Sequence, residues 1–195
     1  DDNVGHFDLV VKIYRANEHP RFPEGGRMSQ YLDTLSVGDT MQVKGPIGHF
    51  TYLGGGQYVR NRHPGTAKQL SMIAGGTGIT PMYQVIKEIL KDPNDKTQIK
   101  LLYANRTIDD ILLHEELETL ANTHANFDIW YTLDCPPEKW GYSSGFINQE
   151  MLEISMFEAA ADGLVLMCGP KPMIDYACKP NLEKLGWNKN QMVEF

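Results

Sequence analysis

Two stretches decide the fold of this chain: Leu70-Ser71-Met72-Ile73-Ala74-Gly75-Gly76-Thr77-Gly78-Ile79-Thr80-Pro81 and Leu164-Val165-Leu166-Met167-Cys168-Gly169-Pro170-Lys171-Pro172-Met173. Each opens with a short, continuous apolar run, the mark of a strand buried on both faces. Each then passes through a Gly/Pro-rich turn into a helical pattern. Two such turns at the carboxyl ends of two strands imply one parallel sheet, and in open α/β sheets that edge is where nucleotides bind. The second turn also places a cysteine at a strand tip, where the sheet behind it holds it still.

Outward from these turns, strands are expected at 69–74, 99–104, 127–133 and 163–168, and helices at 81–91, 109–121, 148–153 and 172–185. Parallel strands need crossover helices, and the alternation supplies them. Pro81 suits a first helical turn, and Asp109 and Asp110 suit a helix N-terminus. The first third reads differently. Phe7, Leu9, Val11 and Ile13 alternate with Asp8, Val10, Lys12 and Tyr14, the period of a half-buried strand. A turn-rich stretch follows, then a short helix over 28–35, strands over 41–44 and 49–52, and a break at Gly54-Gly55-Gly56. That spacing belongs to an antiparallel barrel, yet a barrel needs about six strands and only three or four precede the change of rhythm at Pro64-Gly65. The fold class expected is α/β in two domains: an amino-terminally truncated antiparallel β-barrel over 1–64, then a parallel α/β nucleotide-binding domain over 65–195.

The 195 residues can bury a substantial core. A net charge of −7 argues against nucleic acid as a partner, because phosphate neutralisation needs a basic face. No apolar run reaches the ~20 residues of a membrane helix, and the acidic Asp1-Asp2-Asn3 start carries no signal-peptide pattern. Cys135, Cys168 and Cys178 lack the spacing of a zinc site, so free thiols, a reducing cytoplasmic setting and no metal are expected. Asn105-Arg106-Thr107 is a formal glycosylation sequon and is read as chance.

Four groups of residues could carry chemistry. Gly75, Gly76, Thr77, Gly78 and Thr80 let a phosphate or ring approach the main chain, with the following helix directing its partial positive charge there; the alternative is a plain strand-to-helix turn. The motif is neither GxGxxG nor GxxxxGK[ST]. Cys168 is either a small core residue or a contact that positions a reacting ring, since no base is at hand to make it a nucleophile. Asp134, at the tip of the 127–133 strand, could accept hydrogen bonds from a ribose diol and repel a 2′-phosphate. No basic residue adjoins it in sequence, which counts against NADPH; a turn aspartate before Cys135-Pro136-Pro137 explains it equally well. Lys12, Tyr14 and Gly25-Gly26-Arg27-Met28-Ser29-Gln30 could bind a pyrophosphate at a helix start, or form a surface strand and a capped helix. Trp130, Tyr131, Trp140 and Trp187 read as packing.

Taken in order, several segments resemble the cytochrome b5 reductase family, a branch of the ferredoxin reductase-like flavoproteins. They are Asp8-Leu9-Val10-Val11-Lys12-Ile13-Tyr14, His19-Pro20-Arg21-Phe22-Pro23, Gly25 to Leu32, Lys44-Gly45-Pro46, Ala74 to Pro81, Tyr131-Thr132-Leu133-Asp134, Cys168-Gly169-Pro170 and Phe195. That branch includes the flavin domain of eukaryotic assimilatory nitrate reductases. The resemblance implies a barrel holding FAD, an α/β domain holding NADH, and hydride transfer from nicotinamide to flavin. Single electrons then pass to a b-type haem, as in cytochrome b5. By the same resemblance Lys12, Tyr14, Gly26, Arg27, Met28 and Ser29 face FAD, and Thr80 reaches the flavin from the other domain. Gly75, Gly76, Thr77, Asp134, Phe146, Cys168, Gly169, Pro170 and Met173 line the NADH site, with Cys168 and Thr77 nearest the chemistry. Lys171 stands where the family usually has proline.

An Arg-x-Tyr-Thr flavin motif belongs upstream of the first strand in this family, and the chain has none. The expectation is therefore a flavoprotein parent and a chain whose hold on FAD is weakened or lost. The short 53–68 linker resembles the nitrate reductase branch; Tyr131 to Asp134 and Leu164 to Cys168 resemble stand-alone NADH-cytochrome b5 reductases. Two further readings stand beside these: a nucleotide-binding module without redox activity, and a ferredoxin-NADP reductase-like enzyme.

Overall fold

The computed structural model describes residues 5–18, 20, 22–45 and 47–195; His19, Arg21 and Pro46 of the segments quoted above lie outside them. The chain resolves into two compact units, Asp1–Ile47 and Gly48–Phe195.

Among the described residues of the amino-terminal unit, the one regular element is helix α1 (Arg27–Thr34), which buries no residue fully. The strands expected over 7–14 and 41–44 do not form: neither stretch joins a ladder among the described residues. Phe7 and Leu9 are 66% and 60% exposed, and Val10 and Val43 are exposed too. The alternation is present, but without a neighbouring strand its N–H and C=O groups have no ladder to enter and its apolar face nothing to bury against.

The carboxyl-terminal unit holds two sheets. Strands β1 (Phe50–Gly54), β2 (Gln57–Arg60) and β3 (His63–Thr66) form a three-stranded antiparallel sheet in that order. The Gly54-Gly55-Gly56 break is its first turn, all three glycines having positive φ. Gly56 is also confined by space, since a Cβ there would meet the Ala67 carbonyl oxygen. A buried polar network fastens this turn. The Asp95 carboxylate accepts from the Tyr52 hydroxyl (2.7 Å), Gly55 N (2.8 Å), Thr97 N (3.0 Å) and the Thr97 hydroxyl (2.7 Å). At the sheet's other end Arg60 donates to the carbonyls of Asn190 (2.8 Å) and Met192 (2.6 Å).

The second sheet comprises β4 (Gln69–Gly75), β5 (Gln98–Asn105), β6 (Phe127–Leu133), β7 (Ser143–Ser144), β8 (Gly163–Cys168) and β9 (Met192–Glu194). All its pairings are parallel, in the order β7-β6-β5-β4-β8-β9. Helices α2 (Ile79–Lys91) and α3 (His114–Thr123) bring Met82, Ile86, Ile89 and Leu117 onto one face, against Met72, Leu101, Tyr103 and Leu166. On the other face α4 (Gln149–Ser155) and α5 (Lys179–Lys184) set Met151, Leu152 and Leu182 against Ile73, Leu102, Val165 and Met167. Adjacent strand residues thus bury on opposite faces, which accounts for the continuous apolar runs.

Two helices depart from expectation. The Asp109-Asp110 pair starts a 3-10 turn, Ile108–Asp110, where Thr107 and Asp110 cap one another. Leu113 then turns left-handed (φ 57°), which delays α3 to His114. The 172–185 stretch opens as a π-helix, Met173–Cys178, before α5.

Candidate functional site

Strand order reverses between β4 and β8, since successive strands run outward from β4 in one direction and β8-β9 in the other. At such a switch point the loops diverge and leave a crevice at the carboxyl ends. Ala74 pairs with Cys168 in register, so the two Gly-rich turns emerge side by side.

Their packing is tight enough to require glycine. A Cβ on Gly78 would meet the Cys168 carbonyl oxygen, and one on Gly169 would lie 2.6 Å from Met173 Cε and 3.1 Å from Gly75 Cα. A Cβ on Gly75 would meet Met173 Sδ at 2.8 Å and Pro170 Cδ at 2.9 Å. Gly76 differs: it has φ 54° and open space where a side chain would stand. Its carbonyl accepts from the Tyr103 hydroxyl at 3.0 Å. Burial pushes that hydroxyl up to about 12, which keeps it a donor at neutral pH. Thr80 Oγ1 donates to the Thr77 carbonyl (3.1 Å), closing the first helical turn.

Cys168 is half-buried and its thiol is free. Burial pushes its pKa up, and the charge of Glu194 adds to that. A thiol held protonated is a poor nucleophile and a good apolar contact. Cys178 is fully buried and Cys135 exposed, as their sequence context suggests.

One strand further out, Asp134 follows β6, its N–H bonded to the Asn105 carbonyl (3.1 Å). Gly145 donates to the Leu133 carbonyl (2.8 Å), and its own carbonyl accepts from Thr132 Oγ1 (2.7 Å), bringing the exposed Phe146 to the same edge. The intervening loop is held by aromatic packing of Tyr142 on Tyr131 (5.1 Å) and on Trp140 (5.2 Å), and by Trp140 Nε1 donating to Ser143 O (2.7 Å).

The structure corrects one reading here. Asp134 does have a basic neighbour: Arg106 follows Asn105, which is in register with Leu133, and its carbonyl accepts from Cys135 N at 2.8 Å. Partial burial raises the Asp134 carboxyl while the Arg106 charge pulls it down. Sequence reading passed over Arg106 as part of a chance sequon. Asn105 itself is buried, and neither of its amide atoms makes a well-formed hydrogen bond within the chain. An underused amide at this edge, and the open face of Gly76, fit a polar, nucleotide-like ligand.

The FAD-facing candidates form a separate constellation in the amino-terminal unit. Gly26 N donates to the Tyr14 carbonyl (2.9 Å), and the Ser29 hydroxyl accepts from Tyr14 N (3.2 Å) and donates to the Gly26 carbonyl (3.1 Å). A Cβ on Gly26 would lie 2.6 Å from Ser29 Oγ, so the chain beside Tyr14 and the start of α1 can meet only over glycine. No side chain caps α1, and its first turn carries no acid. With Arg27 and Ser29 there, the donor set fits a pyrophosphate such as that of FAD. Lys12 and Met28 belong to the same unit, with Met28 exposed.

Two family models match the sequence: the Oxidoreductase NAD-binding domain over residues 72–179 and the Oxidoreductase FAD-binding domain over residues 1–52. The first spans more than half of the chain and sets the class, an NAD-binding oxidoreductase. Over its whole length the chain is 56% identical to nitrate reductase (NADH) of Ulva prolifera, of which it covers 23%. It is 50% identical to NADH-cytochrome b5 reductase 3 of Mus musculus, of which it covers 67%. The crystal structure of the cytochrome b5 reductase domain of Ulva prolifera nitrate reductase matches with a TM-score of 0.94 at 55% identity, over 98% of this chain and 74% of that one. The chain belongs to the cytochrome b5 reductase family of FAD- and NADH-dependent oxidoreductases. It spans less than a quarter of the nitrate reductases that it resembles. Among the described residues no helix is long and apolar enough to cross a membrane.

Proposed function

We propose that this chain is the electron-entry part of an assimilatory nitrate reductase. It takes hydride from NADH at the two interlocked turns, and the electrons go by way of FAD to a b-type haem domain. The setting is the cytoplasm. The observation that carries the reading is the pairing of Ala74 with Cys168, which sets an open, left-handed Gly76 and a half-buried neutral thiol at one strand-end edge. In this reading Gly75, Gly76, Thr77, Gly169, Pro170 and Met173 shape the nicotinamide-nucleotide site, and Asp134, Arg106 and Phe146 form its ribose end. Cys168 and Thr77 hold the reacting ring and keep water from it.

Lys12, Tyr14, Gly26, Arg27, Met28 and Ser29 would hold FAD. FAD, when bound, accepts two electrons together and releases them singly, the conversion between a hydride donor and a haem. We place the functional division at Pro64/Gly65, with 1–64 serving FAD and 65–195 serving NADH. The two family models bracket that point, leaving the three-stranded sheet largely between them. A stand-alone NADH-cytochrome b5 reductase is the second reading, supported by 50% identity over the whole chain and coverage of two thirds of that relative.

An absorbance scan of the chain with FAD added, before and after anaerobic NADH, tests the proposal. A band near ~450 nm that NADH bleaches is expected; NADH binding without a bleachable flavin would reduce the chain to a nucleotide-binding module. In FAD-loaded protein, Cys168→Ser slows flavin reduction by about tenfold or more while leaving NADH binding nearly intact, because misplacing a hydride donor costs rate before affinity. Equal reduction rates would remove Cys168 from the site. Asp134→Thr leaves Arg106 without its opposing carboxylate, so the NADPH/NADH preference ratio rises by about tenfold, the weight of one charge contact. A ratio that does not move places the ribose elsewhere.

A further inference from the structure

Four charges close a ring next to the second turn. Lys171 Nζ lies 3.0 Å from Asp175 Oδ2 and 3.3 Å from Glu194 Oε1, and Lys179 Nζ lies 2.9 Å from Asp175 Oδ1 and 2.6 Å from Glu194 Oε2. Each lysine therefore serves both acids and each acid both lysines. The members come from separate elements. Lys171 opens the helical stretch three residues after Cys168, Asp175 is on the π-helix, Lys179 at the start of α5 and Glu194 at the end of β9. β9 is itself paired with β8, Met167 opposite Glu194, and Phe195 N donates to the Met167 carbonyl (2.9 Å). An exposed single ion pair contributes little, but a network in which each partner restrains two others loses less entropy for each contact.

We propose that this ring is a positioning clamp: it ties the Cys168–Pro172 turn and the π-helix to the carboxyl-terminal strand, and so fixes Cys168 and Met173 against Gly75. The inference rests on the reading of these turns as the NADH site, and it names Lys171, Lys179, Asp175 and Glu194 as positioning residues for it. None of the four is a contact of the reacting ring. The ring has no net charge, and both carboxyls are held below their ordinary range, chiefly by Lys179. The lysines are held correspondingly high, Lys171 chiefly by Asp175 and Lys179 chiefly by Glu194. Spacing along the chain provides the geometry. Asp175 has Lys171 four residues before it and Lys179 four residues after it, the spacing at which side chains on one helical face meet.

The three free cysteines make the test internal to one chain. Iodoacetamide labelling of the full chain, followed by peptide mass mapping, gives separate rates for exposed Cys135, half-buried Cys168 and fully buried Cys178. In Lys179→Met the ring loses a cation and two of its links, and the two possible roles pull in opposite directions. If the lysines acted only as charge, the uncompensated Glu194 would raise the Cys168 pKa and slow its labelling. A clamp that opens exposes Cys168, and labelling quickens.

We expect about a fivefold gain at Cys168, the factor that one charge-assisted contact carries, with Cys135 unchanged and Cys178 no faster, since the lost Lys179 charge had been lowering the Cys178 pKa. Lys171→Met should give a similar gain, and Lys179→Arg should restore the slow rate. A rate at Cys168 that falls or stays put overturns the clamp. So does a parallel rise at Cys178, which would mean that the unit has merely loosened. NADH included with the unaltered chain checks the site separately. If it leaves Cys168 labelling unchanged, the nucleotide reading of the turns fails while the clamp stands on its own rates.

Discussion

Phe7–Tyr14 and Gln69–Gly75 are both strand-like in sequence, and only the second becomes a strand. β4 lies between β5 and β8, and every residue from Leu70 to Ala74 is buried. Along 7–14 the alternation survives, but Phe7 and Leu9 on one face and Val10 on the other all stay open. The difference teaches where a strand's stability resides. A local pattern says which face would be buried, whereas cross-strand partners and a covering layer decide whether burial happens. Within this chain, stability is accordingly concentrated in Gly48–Phe195, the unit that carries both Gly-rich turns.

The sharpest way to break that comparison is to truncate a buried residue of the parallel sheet. Leu102→Ala, at a fully buried site between β5 and the α4–α5 layer, should cost about 2–5 kcal/mol in denaturant unfolding, from lost transfer energy and the cavity left behind. A loss below about 1 kcal/mol would show a core far looser than close packing allows.

Asp95→Asn is the next largest. All four contacts of that carboxylate are donors, and an amide nitrogen cannot accept from the two that would face it, so about 1–3 kcal/mol is expected. Burial pushes the Asp95 carboxyl up, but the bonds from Thr97, Tyr52 and Gly55 outweigh it and leave the pKa lowered. Its contribution is therefore present above about pH 4 and is lost as pH falls through the depressed value. Tyr52 carries the opposite sign. Burial first, with Asp95 adding, raises it to about 12. That contribution holds below about pH 10 and fades as the pH climbs to the raised value. Unfolding measured from pH 2 to 12 should show both limbs in the unaltered chain, with the acid limb shallower in Asp95→Asn. Identical acid limbs would mean that Asp95 is not the group that titrates.

How much of this could be read from sequence follows the same line. β4, β5, β6 and β8 were legible because burial on both faces writes a continuous apolar run, and the turns after β4 and β8 because glycine and proline mark them. β2, β3, β7 and β9 were not. They are short or polar, and Pro64 sits inside β3. Of the site, Cys168 and Asp134 were legible as strand tips. Arg106 was not, since it meets Asp134 only through the register of Asn105 with Leu133. The Glu194 ring is hidden for the same reason, joined by the β8–β9 pairing and not by spacing along the chain. The Tyr14–Ser29 constellation sat in between: its glycines and helix start were visible, and the hydroxyl that joins them was not.

The smallest expected effect is the other arm of the comparison. Leu9→Ala removes as many carbons as Leu102→Ala, so any difference between them measures environment alone. With Leu9 60% exposed, little surface returns to water, no cavity forms, and a loss below about 0.5 kcal/mol follows. Denaturant midpoints of the two variants at equal m-value give the contrast directly. A Leu9→Ala loss of 1.5 kcal/mol or more, on the scale of a fully buried leucine, would mean that this face is covered in solution. The alternating pattern would then have found its partner, and the two regions would no longer differ in kind.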